Sequence, residues 1–412
     1  MNIYDVNITS LAYGGEALGR LPDGRAVFVP FALPGERVRL QLTEEKRGHA
    51  RAALVEVLEP SPERIVPRCP HFTICGGCHY QHMDYAAQLN YKTAILCEQL
   101  ERIGGLHDIP IGAPVASPQT WNYRNHVQFH QAPDGRLGYQ TTRSNIVVPI
   151  GECHLPEAAL NEIWPQIDME VIPGLERVSL RLGEADDILL IFESSDPEPF
   201  DFSVEDLPIS AVHLGPAGPI VLAGSNYLLI SVLERTFQVS AASFFQVNTH
   251  QAAAMVEHLL SNLVLDKSSA VLDVYCGVGL FSVFLATRAG RLVGIELSPQ
   301  ACVDFASNLD EFNHVELYEA PAEAVLNSQN FQPSVIVVDP PRAGLGQRTL
   351  DGLLAQGAHQ IAYISCDPST LARDAKRLMA DGYDLQKITL FDMFPQTYHL
   401  EVIAELRRGE EI

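Results

Sequence analysis

Long apolar runs are missing from this 412-residue sequence. The longest, such as Ala270 to Val274 and Val335 to Val338, fall far short of the roughly 20 residues that span a bilayer, so no membrane partner is expected. The N-terminal Met1-Asn2-Ile3-Tyr4-Asp5 lacks the basic start and apolar core of a secretory signal, and the expected location is cytoplasmic. Positive charge is scarce. With 28 Lys and Arg against 51 Asp and Glu, the net charge is −23, which ordinarily disfavours a polyanionic partner. Internal repeats and low-complexity tracts are also lacking, and 47% hydrophobic with 19% charged residues excludes a disordered or collagen-like chain. No obligate protein partner is evident.

A length of 412 residues predicts two or three domains at about 150 residues each. The charge deficit is uneven along them. Residues 1–150 carry 14 basic against 14 acidic side chains, residues 151–270 carry 4 against 18, and the remainder 10 against 19. A polyanion would therefore be met mainly by the first third. In a reducing compartment the eight cysteines point to metal binding or catalysis rather than to disulfides.

Over residues 1–58, β-like stretches at Val6 to Ser10, Ala26 to Pro30, Arg37 to Leu42 and Ala50 to Leu58 are broken by turns at Gly14-Gly15, Asp23-Gly24 and Pro34-Gly35. The spacing predicts a small β-barrel, suited equally to oligonucleotide binding or to oligomerisation. Residues 59–240 predict a central β-rich domain that opens on a cysteine-rich segment and a helix from Tyr85 to Ile103 capped by Gly104-Gly105. From residue 241 to 412 the rhythm becomes strand–helix alternation. Val271 to Tyr275, Leu292 to Leu297, Val315 to Tyr318, Val335 to Asp339, Ile361 to Ser365, Leu385 to Phe391 and Leu400 to Leu406 predict a doubly wound, seven-stranded α/β domain. Its ligand is expected at the carboxyl ends of the strands.

Three strand ends there carry chemistry. The first runs into Tyr275-Cys276-Gly277-Val278-Gly279, where glycines permit a tight turn close to a ligand; Ser282 replaces the third glycine of a dinucleotide fingerprint. Glu296 ends the next strand, where a carboxylate can accept from both hydroxyls of a ribose. An adenosyl ligand, S-adenosylmethionine rather than NAD, is expected. Asp339-Pro340-Pro341-Arg342 follows a third strand, its prolines fixing an extended exit that holds Asp339 at the sheet edge. Cys366, between Ser365 and Asp367-Pro368 at a strand end, is either a nucleophile beside a helix N-terminus or a buried structural thiol.

Cys69, Cys75 and Cys78 can converge only around a compact centre, for which Gly76-Gly77 allows tight wrapping. Ligand softness favours zinc or an iron–sulfur cluster without deciding between them. The expected fourth donor is Cys153, in a loop-like stretch; its rival Cys97 lies among apolar residues of the predicted helix.

Taken in order, Phe244-Phe245-Gln246-Val247-Asn248, the Asp273 to Gly279 turn, Asp339 to Arg342, Ser365 to Arg373 and the run Asp392 to Glu401 resemble the RNA uracil-5-methyltransferase family. The barrel and cysteine segment resemble its 23S rRNA subgroup, which carries a TRAM domain and an iron–sulfur cluster. The resemblance implies a class I methyltransferase domain with Gln246, Tyr275, Gly277, Gly279, Glu296 and Asp339 around S-adenosylmethionine, Cys366 as nucleophile and Glu401 as base. It implies a [4Fe-4S] cluster on Cys69, Cys75, Cys78 and Cys153, and structured RNA, 23S rRNA, as partner. Arg47, Arg51, Arg124 and Arg143 are then the candidate phosphate contacts. The family has Asn after the nucleophile; here it is Asp367, whose carboxylate would raise the thiol pKa if it faced the sulfur. A tRNA uracil-5-methyltransferase, an amino-methyltransferase using Asp339 without Cys366, and a non-catalytic iron–sulfur RNA-binding protein are the alternatives.

Overall fold

Alternation of buried and solvated residues builds the N-terminal barrel of the computed structural model, which describes residues 3–142, 144–167, 169–200 and 209–409. Strands β1 (Ile3–Leu11), β2 (Glu16–Arg20), β3 (Ala26–Pro30), β4 (Arg37–Glu45) and β5 (His49–Glu59) turn Val6, Ile8, Val27, Val29, Val38 and Leu40 inward. They close in the order β1-β2-β3-β5-β4. Closure removes the edges that an open sheet would expose. The sequence pattern misses β2, because Glu-Ala-Leu-Gly-Arg contains no β-branched or aromatic residue.

Two compact units divide the chain. The first comprises Met1–Glu98, Tyr139–Ile150 and Phe394–His399; the second comprises Gln99–Gly138, Gly151–Met393 and Leu400–Ile412. In the first unit the barrel is followed by the turns of the cysteine segment and by helix α1 (Tyr85–Gln99). The single helix expected to run to Ile103 instead changes pitch, and Leu100–Gly104 form a π-helical turn that ends on Gly105 in the left-handed region, φ 65°.

In the second unit β6 (His126–Gln131) pairs with β7 (Leu137–Gln140); β8 (Val147–Pro149) belongs to the first unit. After helix α2 (Ala158–Ile163), strands β9 (Leu175–Leu182), β10 (Ile188–Ser194), β11 (Ile209–Gly215) and β12 (Gly218–Ala223) extend the sheet in the order β12-β11-β10-β9-β6. A hairpin, β13 (Tyr227–Val232) and β14 (Arg235–Ser240), then leads to helix α3 (Thr249–Asn262).

The remainder is the expected doubly wound domain. Its elements are β15 (Ala270–Val274), α4 (Leu280–Ala286), β16 (Arg291–Glu296), α5 (Pro299–Asn308), β17 (Val315–Glu319), α6 (Ala322–Ser328), β18 (Val335–Val338), α7 (Gln347–Ala355), β19 (Gln360–Ser365), α8 (Pro368–Ala380), β20 (Tyr383–Phe391) and β21 (Glu401–Arg408). The strand order is β17-β16-β15-β18-β19-β21-β20. Central β18, Val-Ile-Val-Val, is wholly buried, as a parallel strand covered on both faces must be. The first five strands run parallel, whereas β21 lies antiparallel between β19 and β20. The amino end of β21 therefore sits at the edge where the parallel strands have their carboxyl ends. Among the described residues, no helix is long and apolar enough to cross a membrane.

Candidate active site

That edge gathers the chemistry. Ser365 of β19 pairs with Val402 of β21, so one further step of the antiparallel register sets Cys366 opposite Glu401. Cys366 is half-buried and Glu401 buried. Burial, then the carboxylates of Glu401 and Asp339, push the Cys366 thiol up to about 11, with the Arg342 guanidinium opposing them. Burial and Asp339 likewise push Glu401 well above the usual carboxylate range, again against Arg342. Arg342 thus acts on both groups from the loop that follows β18. Cys366, Glu401, Asp339 and Arg342 form one interacting set.

Asp367 does not lower the prospects of its neighbour in the way its charge suggests. Its Oδ1 accepts from the backbone N–H groups of Ser369 and Thr370, both at 2.9 Å, capping α8. Asn performs that cap as well as Asp. Asp367→Asn is expected to change turnover by no more than about twofold, whereas Asp367→Ala should lose about 1 kcal/mol of stability with the cap. Thermal melts and initial rates of the two variants check this; a large rate gain in Asp367→Asn would mean the carboxylate does restrain the thiol.

The loop after β18 is clamped to α8. Asp374 Oδ2 accepts from the Leu345 N–H at 2.8 Å and the Tyr363 hydroxyl at 2.7 Å, while Arg373 Nη2 donates to the carbonyls of Ala343 and Leu345, each at 3.1 Å. The Arg373 and Asp374 side chains join at 2.7 Å. This ties the loop following Asp339 to the helix following Cys366.

The turn after β15 fits a close ligand. A Cβ on Gly277 (φ 54°) would meet no atom within 4 Å, leaving a cradle over the backbone, whereas one on Gly279 (φ 90°) would strike Leu309 Cδ1 at 2.5 Å. Tyr275 is held at φ 64°, a strained conformation for a side-chain-bearing residue, and its hydroxyl bonds with Thr349. Burial raises its pKa. Glu296 Oε2 accepts from the Gly277 N–H at 3.0 Å, and Oε1 from the N–H groups of Leu297 and Ser298 at 2.7 and 2.8 Å. Three of about four acceptor positions are thereby used, so the carboxylate shapes the turn and retains room for about one hydroxyl rather than two.

Asp273, which the sequence places in the turn motif without a role, is fully enclosed. Its Oδ2 accepts from Ser282 Oγ at 2.5 Å, and its Oδ1 is buried with no hydrogen-bond partner. Burial pushes it up to about 7, the Ser282 bond opposing and Glu296 adding to the shift. Asp339, half-buried on the adjacent strand end, is also pushed up to about 7, by burial and then by Asp273. An acid inside the otherwise apolar Val-Leu-Asp-Val strand was the signal available for Asp273.

Gln246 is buried and positioned through its backbone. Its carbonyl accepts from Asn125 Nδ2 at 3.0 Å, and Asn125 N–H donates to Val247 at 2.9 Å. Upstream, buried Arg181 donates to the carbonyls of Ser240 and Ser243, each at 2.8 Å, while buried Asp304 accepts from both serine hydroxyls. Asn248 caps α3 with its side-chain oxygen. Phe244 beside them is 71% exposed.

Comparison with known proteins decides the family. The sequence profile described as tRNA (Uracil-5-)-methyltransferase matches residues 225–319 and 322–408, and the TRAM domain profile matches residues 2–55. An uncharacterized RNA methyltransferase of Aquifex aeolicus is 35% identical over 97% of both chains, and one of Streptomyces coelicolor is 34% identical over 98% of this chain and 92% of its own. The chain belongs to the RNA uracil-5-methyltransferase family. Among solved structures it is similar to the Pyrococcus abyssi tRNA (uracil-54, C5)-methyltransferase in complex with S-adenosyl-L-homocysteine. The TM-score is 0.74 at 25% identity, covering 98% of this chain and 100% of that one. The barrel is accordingly the TRAM domain, and the seven-stranded domain is the family's methyltransferase domain.

The expected metal ligands are divided between the two units. Cys69, Cys75 and Cys78 lie half-buried in successive turns of the first unit, and Cys153 falls in the second; none forms a disulfide. The Gly77 N–H approaches Cys75 Sγ at 3.4 Å. Among the described residues, no three His, Cys, Asp or Glu side chains are grouped closely enough to hold a metal ion. The thiolate donors suit a cluster in chemistry.

Of the candidate phosphate contacts, Arg51 is engaged with Glu16 and Glu44, Arg47 is exposed, and Arg124 lies over the Tyr123 ring at 5.7 Å. Arg143 lies outside the described residues.

Proposed function

We propose that the protein transfers a methyl group from S-adenosylmethionine to C5 of a specific uridine in RNA, 23S rRNA in particular, through a covalent Cys366 adduct at C6. The observation that carries this reading is the placement of Cys366 opposite Glu401, beside Asp339, on the sheet edge that bears the glycine turn. An amino-methyltransferase needs no thiol there.

S-adenosylmethionine supplies, when bound, a cationic sulfonium with an electrophilic methyl group. The residues present fit it: the open cradle at Gly277, the orphaned Asp273 Oδ1 and the carboxylates crowding the edge all suit a cation with hydrogen-bond donors. Gln246, Tyr275, Gly279, Glu296 and Asp339 complete the binding set in this reading.

Uracil C5 is a poor nucleophile. Addition of the Cys366 thiolate to C6 forms the S–C6 bond and moves the C5=C6 electron pair onto C5 and O4, which makes C5 able to take the methyl group. Glu401 then removes the C5 proton, the C5=C6 bond reforms and the S–C6 bond breaks, returning the thiolate. The C5 substituent gained is methyl, whose bond to the cofactor sulfonium breaks with the electron pair staying on sulfur to leave neutral S-adenosylhomocysteine, and the one lost is a proton, so the thiol is catalytic and not consumed.

A TRAM barrel followed by a cysteine segment supports rRNA as the target, whereas the likeness to the Pyrococcus tRNA enzyme favours tRNA as the second reading. Mass spectrometry of nucleosides from separated rRNA and tRNA of a deletion strain tests both. Loss of 5-methyluridine from 23S rRNA is expected; loss from tRNA alone would move the assignment there, and no loss of 5-methyluridine would overturn it.

Cys69, Cys75, Cys78 and Cys153 are proposed to hold a [4Fe-4S] cluster, supported by the softness of their thiolate donors. Anaerobically purified protein is expected to contain about four irons with sulfide. Cys153→Ser should lose them while Cys97→Ser keeps them. Stoichiometric zinc without sulfide would overturn the cluster.

A further inference from the structure

The TRAM domain meets an RNA substrate with few available cations. Arg25, Arg37, Arg39 and Arg51 each form ion pairs with acidic residues of the same barrel, and the whole chain carries a net charge of −23. Phosphate attraction, which usually supplies most RNA affinity, is therefore weak on this surface. The same unit instead collects aromatic and imidazole rings from three separate segments. Tyr13 comes from the turn between β1 and β2, His79 from directly after Cys78, and Tyr398 and His399 from the segment before Glu401.

These rings touch one another. Centroid separations are 6.1 Å for Tyr13 and Tyr398, 4.6 Å for His79 and Tyr398, and 4.4 Å for Tyr398 and His399. Phe394 joins at 5.7 Å from His399. All four of the first set are half-buried, neither enclosed in the core nor fully in solvent. The segment that carries Tyr398 is held from beneath. Gln88 and Gln396 exchange hydrogen bonds at 3.0 and 2.9 Å, and Lys92, fully buried, donates to the Phe394 carbonyl at 3.0 Å. Pre-fixed rings lose little entropy on stacking against a planar ligand.

We propose that Tyr13, His79, Tyr398 and His399 form a stacking platform for an unpaired nucleobase of the RNA substrate. Stacking is tolerant of base identity and needs no cation, which suits an acidic protein. This inference rests on the reading of RNA as substrate.

The test uses the full-length holoprotein and a fluorescein-labelled 12-nucleotide single-stranded RNA of mixed sequence, with a duplex of the same strand as comparison. Tyr398→Ala and Tyr13→Ala are each expected to weaken binding of the single strand by about 5- to 150-fold, the usual range for loss of a base–aromatic stack. S-adenosylmethionine binding by the same preparations, measured by calorimetry, reports whether the variants are folded. Tyr398→Phe, which keeps the ring, is expected to retain affinity within about twofold. The slope of log affinity against log salt should be the same in wild type and both alanine variants, because no phosphate contact is lost. Unchanged affinity in both alanine variants, equal wild-type affinity for the duplex, or a shallower salt slope in the variants would overturn the platform. If wild type methylates uridine in RNA while the alanine variants bind as it does, the platform fails and the proposed function stands. If wild type binds the strand in a Tyr398-dependent way without methylating any uridine, the function fails and the platform stands.

Discussion

Glu401→Gln is expected to trap RNA on the protein. In the proposed mechanism the substitution leaves the Cys366 nucleophile in place but removes the group that accepts the C5 proton, so addition and methyl transfer proceed and elimination stalls. Turnover should fall by about 10²- to 10⁴-fold, the usual contribution of a positioned general base. A denaturing gel with labelled RNA and S-adenosylmethionine should show a slow-migrating adduct from Glu401→Gln, none from Cys366→Ala, and none from the double variant. Cys366→Ala should abolish turnover altogether while still binding the cofactor, because without the thiolate C5 is not activated. Full activity in Cys366→Ala would sink the covalent mechanism and put an amino-methyltransferase acting through Asp339 ahead of it.

The rate should also climb steeply with pH. A thiol near pKa 11 is about 10⁻⁴ ionised at pH 7, and each pH unit gained multiplies the thiolate about tenfold. Glu401, raised well above the usual carboxylate range, must likewise lose its proton before it can accept one from C5. Both requirements act in the same direction: protonation at low pH removes nucleophile and base together. Single-turnover kcat/KM is therefore expected to rise by up to about 10³-fold between pH 6 and pH 9, with no plateau before the upper end. A flat profile would mean that bound cofactor and RNA have already brought both groups down, and a falling one would exclude thiolate attack as the rate-governing step. Arg342→Met should shift the profile to higher pH, since its guanidinium opposes the upward push on both groups.

Folding carries the opposite linkage at the same edge. Asp273 and Asp339 have folded pKa values near 7 against an ordinary value of 3.8, so the stability their protonated forms contribute is intact below about pH 4 and is lost as pH rises to about 7. Stability is therefore expected to fall between about pH 4 and pH 7 as the pair ionises.

Local signals in the sequence were sufficient for much of this protein. Alternation and turn residues determined four of the five barrel strands, buried apolar runs separated by helical stretches determined the seven-stranded domain, and the glycine turn, Asp339-Pro-Pro and Cys366 were visible as strand ends. Each of these depends on neighbours within a few residues. What lay beyond that range needed the fold. Cys366 and Glu401 are separated by two secondary-structure elements, and only the insertion of β21 between β19 and β20, against the direction of the parallel strands, brings them to one edge of the sheet. The engagement of Asp367 in the cap of α8 depends on backbone N–H groups that need a partner; the pairing of the barrel arginines depends on strand register. A sequence displays charges and nucleophiles one at a time, whereas their pKa values and partners are set by through-space distance, low dielectric and unsatisfied backbone groups, which exist only once the chain has packed.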